Sequence, residues 1–284
     1  MRPHTSYLVC GTPRCGSSLL CEALKNTGIA GRPEEYLWQG DEPFWSKRWG
    51  VSTYADYLDK AVEEGTTPNG VFGAKVMWGY FDDFVSRLRQ IPGYGGLAVP
   101  NLMQTVFPNL HYIWVTPRDI VRQGISFWKA IQTNIWAWST DEPPVPAKEP
   151  TFDFEAIDYL VQEIVTHEAA WQQYFSECGV TPFTVIYEDL VRASEEAALQ
   201  ILQYLNIPIP ENLVFAERRL KKQSDALSEE WVQRYYNLKQ AQAERRVEHS
   251  YLTHRKRTPN AALPVPPQCR ASQAAITLYE TILQ

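Results

Sequence analysis

The sequence of 284 residues has no apolar run of membrane-spanning length and no charged-then-apolar leader before its first strand-like segment. A cytoplasmic protein with no membrane partner is the expectation. It also lacks a basic balance. A formal charge of −6 argues against a general nucleic-acid binder, because affinity for a phosphate backbone needs a basic face. Cysteine is scarce. Cys10, Cys15, Cys21, Cys178 and Cys269 are odd in number and show no CxxC spacing, so neither a disulfide framework nor a zinc site is indicated. What remains, 44% hydrophobic residues, is enough to bury a full core in one globular unit.

Tyr7 to Leu20, YLVCGTPRCGSSLL, is a short apolar run, a turn bounded by Gly11 and Gly16, and small residues leading into a helix. A strand that stops at Gly11 and restarts as a helix near Ser17 points free backbone N–H groups at one spot, which suits a phosphate or sulfate. The spacing follows the nucleotide P-loop, with one residue missing: Ser17 stands where the lysine belongs. The cation is Arg14, inside the loop, and the hydroxyls of Ser17 and Ser18 follow Gly16. Standing alone, the stretch reads as a Gly-Ser turn without a ligand. Cys15 is either a small loop-filling residue or a thiol made acidic by the helix N-terminus, and filling is the commoner use.

Short apolar strands alternating with longer helices predict parallel βαβ units. Strands are expected at Tyr7–Gly11, Gly70–Trp78, His111–Thr116 and Phe183–Tyr187, and long helices from Arg118 to about Asn134 and from Phe152 to Cys178. Asp189 fits an N-cap. Lys75 is unusual in an apolar strand, and lysine is almost never buried unpaired, so it should face the anion or a carboxylate. Glu34 and Glu35 fall just past the first βα unit, on the rim where open α/β sheets bind ligands. One of them is a candidate base; a solvated acidic pair is the plainer reading. Trp38 to Tyr57 is dense in aromatics and serves either as a wall for a sugar-like ligand or, for most rings, as core. Trp136 to Pro150 is a proline-rich loop, a flap over the acceptor or a connector. The basic run Arg218 to Lys222 is a solvated face or a reach toward a second phosphate. A main domain over 1–250 and a Pro-rich extension with a short helix over 251–284 complete the division.

Several segments in order, TPRCGSSLL at 12–20, GIAGRPEEY at 28–36, GVFGAKVMW at 70–78, TPRDIVRQGISFWKAIQT at 116–133, VIYEDL at 185–190 and QSDALSEEWVQRY at 223–235, resemble the PAPS-dependent sulfotransferases. More closely, they are similar to the bacterial trehalose 2-sulfotransferase family. The resemblance implies a P-loop-like sulfotransferase fold, α/β, with a central parallel sheet flanked by helices, and often a homodimer. It implies that Arg14, Cys15, Gly16, Ser17 and Ser18 hold the 5′-phosphosulfate of PAPS, that Arg118 and Ser126 grip the 3′-phosphate, and that Tyr187 lies near the adenine. Glu35 matches the family's catalytic base. Lys75 and Trp78 join Glu35 on the acceptor side. Pro117 stands where closer relatives tend to carry arginine.

These residues support an in-line sulfuryl transfer that gives PAP, with Arg14 and the loop N–H groups stabilising the leaving charge and Glu35 taking the acceptor proton; no metal is required by them. The acceptor expected is a hydroxyl of a trehalose-like sugar or related small molecule. A second reading keeps the donor and sulfates a cationic natural product such as a saxitoxin-like guanidinium alkaloid, which could stack on indole faces. A third, a P-loop kinase or NTPase, suffers from the missing lysine and from the lack of an evident Mg²⁺-binding aspartate.

Overall fold

The computed structural model describes residues 2–139, 142–221 and 225–254, with side chains as far as 245. Four strands, β1 (Thr5–Gly11), β2 (Val71–Met77), β3 (Leu110–Thr116) and β4 (Phe183–Ile186), form one sheet in the order β2-β1-β3-β4. All pairings are parallel, with Val9 opposite both Lys75 and Ile113. An all-parallel sheet is covered on both faces, so its central strand reads as a continuous apolar run, and every residue of β1 is buried.

Alternation sorts that strand's side chains. Leu8 and Cys10 face one core with Phe72, Ala74 and Tyr112, covered by α3 (Tyr54–Gly65), α4 (Phe81–Leu88) and α5 (Val99–Val106). Tyr7 and Val9 face the other with Ile113 and Val115, covered by α1 (Ser17–Asn26), α8 (Tyr187–Arg192) and α9 (Ser194–Tyr204). A third core lies where α6 (Ile120–Thr133) and the first half of α7 (Phe154–Glu177) meet α10 (Ala226–His254). The second half of α7 reaches the sheet. Trp171 is fully buried there and donates its indole N–H to the Gly11 carbonyl at 2.8 Å.

This topology places the site. After β1 the chain crosses to β2, and after β2 it returns past β1 to β3. The loops leaving β1 and β3 therefore part company at their C-terminal ends, and ligands of open α/β sheets bind in that crevice.

Two helices, α2 (Glu42–Trp49) and α3, occupy the aromatic-rich segment, in which Tyr57 is buried and Trp45, Trp49 and Tyr54 pack against the core, as the core reading expected for most of these rings, while Phe44 is 60% exposed. Asp189 is no N-cap: α8 starts two residues earlier, and its carboxylate pairs with Arg118 instead. The last helix runs on to His254, and the Pro-rich stretch and final short helix expected in the extension over 251–284 lie outside the described residues.

The buried indole tie leads to a measurable cost. Trp171→Phe keeps an aromatic ring but strands the Gly11 carbonyl, and it should lower the unfolding free energy by about 1–3 kcal/mol in urea titrations. A loss under about 0.5 kcal/mol would show that the tie contributes nothing of note.

Candidate active site

The loop after β1 turns through two residues with positive φ, Arg14 at 68° and Gly16 at 95°. Only glycine fits at the second. A Cβ there would lie 2.3 Å from Cδ2 of Tyr187, whose ring is laid against the loop. No side chain caps α1, and its first turn carries no acidic residue. The N-terminus of this helix thus keeps its partial positive charge uncompensated.

Beneath the loop runs a chain of buried polar contacts. Gln123 donates through Nε2 to Thr12 Oγ1 and to the Pro13 carbonyl, both at 2.8 Å, and Thr12 donates to Glu168 Oε1 at 2.9 Å. Glu168 is 5% exposed, and burial pushes its carboxyl above the usual range. Cys15 fills the space under the turn, and its N–H is spent on the Thr12 carbonyl at 3.1 Å. Burial pushes its thiol up as well, with the Glu168 charge acting the same way. The thiol is a filler: hydrogen bonds from Ser17 at the helix start and from Thr12 pull its pKa down, and burial outweighs them.

Arg14 reaches across the crevice. Its Nε donates to Ser126 Oγ at 3.1 Å, and its guanidinium also meets the Trp136 carbonyl. Burial lowers its pKa, opposed by Tyr187 and Cys15, but an arginine starting so high stays charged. Ser126 is brought to this point by α6, two turns beyond the end of β3.

A second helix start faces the same crevice, and it is already filled. Asp119 caps α6 by accepting from the Arg122 N–H at 2.9 Å. Glu188 accepts from the Arg118 N–H at 3.1 Å through each oxygen and from the Asp119 N–H at 3.4 Å. Arg118 itself is exposed and held by Asp189 in a forked pair, at 3.2 and 2.5 Å. That contact raises its pKa and lowers that of Asp189. Of the two helix N-termini, only that of α1 is left for a ligand.

On the other side of β1, Lys75 rises from β2 with 14% of its side chain exposed and bonds Glu35 Oε2 at 2.6 Å. The same Nζ lies 3.5 Å from Ser18 Oγ. Burial works against the lysine's charge, but the Glu35 carboxylate outweighs it and holds the pKa above its ordinary value. Tyr80 Oη donates to Glu35 Oε1 at 3.0 Å. Lys75 also fixes the loop's backbone, its N–H donating to the Glu34 carbonyl at 2.9 Å.

These parts border one cleft of about 1150 Å³. Arg14, Gly16, Ser17 and Ser18 line one end, and Glu35, Lys75, Trp38 and Asp41 line another, with Ser126 and Tyr187 also in the wall. Three expected residues are not in it. Cys15 lies below the loop; Arg118 is absent from the wall although Pro117 and Asp119 on either side belong to it. Trp78, expected beside the acceptor, packs its ring at 4.9 Å from Trp171 and 5.5 Å from Phe81, because the chain turns at the end of β2 and swings the indole into the aromatic core. Sequence reading missed Tyr80, Asp41, Gln123 and Glu168. Only Gln123 had a local signal, three residues before Ser126 on one helix face. Among the described residues no group of three His, Cys, Asp or Glu side chains is arranged to hold a metal ion, and no helix is long and apolar enough to cross a membrane.

Glu168 supplies a pH test. Its folded-state pKa is raised, so its contribution is fully present at low pH and is lost as pH rises from the unfolded carboxyl range through the folded value. Glu168→Gln has no such loss. Its urea midpoint should gain on the wild type between about pH 5 and about pH 8, and a gap that does not change with pH would remove the buried charge from the account.

A profile of the Stf0 sulphotransferases matches residues 6–237. The trehalose 2-sulfotransferase of Mycolicibacterium smegmatis is 30% identical over 258 residues, covering 81% of this chain and 94% of its own. That of Mycobacterium tuberculosis is 29% identical over 259 residues, covering 81% and 93%. A solved sulfotransferase domain from a Synechococcus olefin synthase covers 100% of this chain and 96% of its own at 16% identity, with a TM-score of 0.39, too distant to inform the site. The sulfotransferase match supersedes the kinase reading. With its α/β sheet and its open anion loop, the chain belongs to the Stf0 sulphotransferase family.

Proposed function

We propose that the protein moves a sulfuryl group from PAPS to a hydroxyl of a trehalose-like sugar, with Glu35 as the base. The observation that carries this is the placement of a carboxylate and an anion cradle in one cleft, bridged by Lys75, which touches Glu35 Oε2 at 2.6 Å and approaches Ser18 Oγ at 3.5 Å. The sugar class rests on the two relatives, both of them named for trehalose, and on Trp38, which offers an apolar face on the wall that carries Glu35.

The residues fit a sulfated nucleotide. The uncapped start of α1, the absent Cβ of Gly16 and the half-buried Arg14 make a site for a doubly charged group, and Tyr187 lies beside it with a flat face. Arg192, Arg218 and Lys221 add cations to the same wall. When bound, PAPS supplies a sulfuryl group on a phosphate that departs as PAP. With PAPS in place, Glu35 would take the acceptor proton as the acceptor oxygen bonds to sulfur, and Arg14 with the α1 N–H groups would hold the electron pair that the broken S–O bond leaves on PAP. Arg14 and the helix N–H groups are preset for the departing charge, so no reorganisation is needed when it forms. In this reading Glu35 and Lys75 are the acceptor-side pair, and Trp78 is left out of it because its ring packs against Trp171.

Arg118 enters as the 3′-phosphate ligand only by exchanging Asp189 for phosphate, a trade between two anions for one fork-shaped cation. In this reading Ser126 serves both phosphate groups, since it already bonds Arg14.

Two substitutions test the assignments. Glu35→Gln should keep PAP affinity while kcat falls by roughly 100-fold or more. Near-normal turnover with trehalose would sink the base assignment. Arg118→Ala should weaken PAP binding by roughly 10- to 100-fold in calorimetry, and an unchanged affinity would leave Arg118 as a surface partner of Asp189.

A further inference from the structure

We infer that Tyr80 is a positioning residue for Glu35, fixing the plane in which its carboxylate meets the acceptor. The inference rests on the reading of Glu35 as the base.

Glu35 needs such a hold because nothing in its own segment provides one. It falls between α1 and α2, where the backbone forms no helix or strand. Lys75 grips Oε2 at 2.6 Å, but an ammonium is a compact point charge and leaves the carboxylate free to rotate about the contact. Tyr80 takes the other oxygen, Oε1, at 3.0 Å. One donor on each oxygen removes that rotation.

Both donors come from one rigid piece of chain. Lys75 lies in β2, and Tyr80 ends the 3₁₀ turn Trp78–Tyr80 that follows it directly. Tyr80 is 5% exposed and its ring belongs to the core that covers the sheet. A phenol with a purely structural role would be satisfied by the nearby Lys75 carbonyl, which its Oη approaches only to 3.4 Å; the shorter contact is to the carboxylate. Burial, and then the Glu35 charge, push the phenol's pKa well above its ordinary value. Tyr80 therefore remains a donor through the working pH range and does not compete for the acceptor proton.

Other charges also bear on this carboxylate. Glu34 precedes it and pairs with Lys25 of α1. Asp41 stands before α2 without capping it, its carboxyl raised by burial and then by Glu35. The buried Cys21 of α1 senses both Lys75 and Glu35. All of these are unchanged when Tyr80 alone is altered. Tyr57 gives a matched control, since its hydroxyl holds the neighbouring Tyr36 carbonyl at 2.6 Å without touching the carboxylate.

The experiment uses the full chain with glutamate labelled by ¹³C at the carboxyl, the Glu35 signal being identified by its absence in Glu35→Gln. In Tyr80→Phe the Glu35 titration should move up in pH by about half a unit to one unit, because a donor to the charged form has been removed. The acid limb of kcat/KM for PAPS and trehalose should move with it, and kcat should fall by roughly tenfold with PAP affinity unchanged within about twofold. Replacing Tyr80 with 3-fluorotyrosine keeps the ring and strengthens the donor, so the titration should move the other way; this second variant stands if the phenylalanine variant does not fold. A Glu35 titration unmoved in both variants, or moved equally by Tyr57→Phe, overturns the inference. A titration that moves while Glu35→Gln retains normal turnover sinks the base reading and still supports the hold of Tyr80 on Glu35.

Discussion

An ammonium inside a parallel sheet must find a counter-charge, and much of this site follows from that requirement at Lys75. Its strand neighbours are apolar and buried, and its side chain is only 14% exposed. Removing one partner of a buried pair costs about 3–5 kcal/mol, and the 25% exposure of Glu35 puts this pair toward the lower end. The irregular chain after α1 is therefore drawn to β2, and its carboxylate is delivered to the rim where the anion loop opens. In the proposed reaction, stability and chemistry share one contact.

The anion loop shows the complementary economy. Of the helices that start at this edge of the sheet, α1 and α6 face the crevice from adjoining strands, and internal carboxylates occupy only α6. Asp119 and Glu188 take the N–H groups at the start of α6, whereas α1 begins at a glycine that has no side chain to offer. The free field of α1 is reinforced by the half-buried Arg14. Below it, the Gln123–Thr12–Glu168 chain supports the turn with uncharged donors, and burial disfavours the one ionised form that would oppose an anion.

How much of this could be read in advance depended on how local the cause was. The four strands and the turn at Gly11 to Ser17 were legible because alternation and glycine spacing are properties of adjacent residues. Lys75 was legible too, since a lysine among valine, phenylalanine and methionine announces a partner even without naming it. Arg118 was only half legible. Its position at the end of a strand was clear, but the aspartate that holds it is 71 residues away and looked locally like a helix cap. Trp78 and Tyr80 follow the same strand, and composition cannot tell which ring turns into the core and which sends a hydroxyl to the cleft. That choice is made by a single 3₁₀ turn.

The sheet order carries a consequence for how such a protein can change over generations. The loop bounded by Gly11 and Gly16 leaves the end of β1, and Lys75 belongs to the strand beside it, so both are tied to the hydrogen-bonded centre of the fold. Trp38, Asp41, Trp136 and Trp138 line the cleft from chain that belongs to no strand. Lineages can therefore rewrite these walls, lengthen them or exchange their aromatics while the loop after β1 and Lys75 are inherited intact. Innovation in the acceptor needs no new fold.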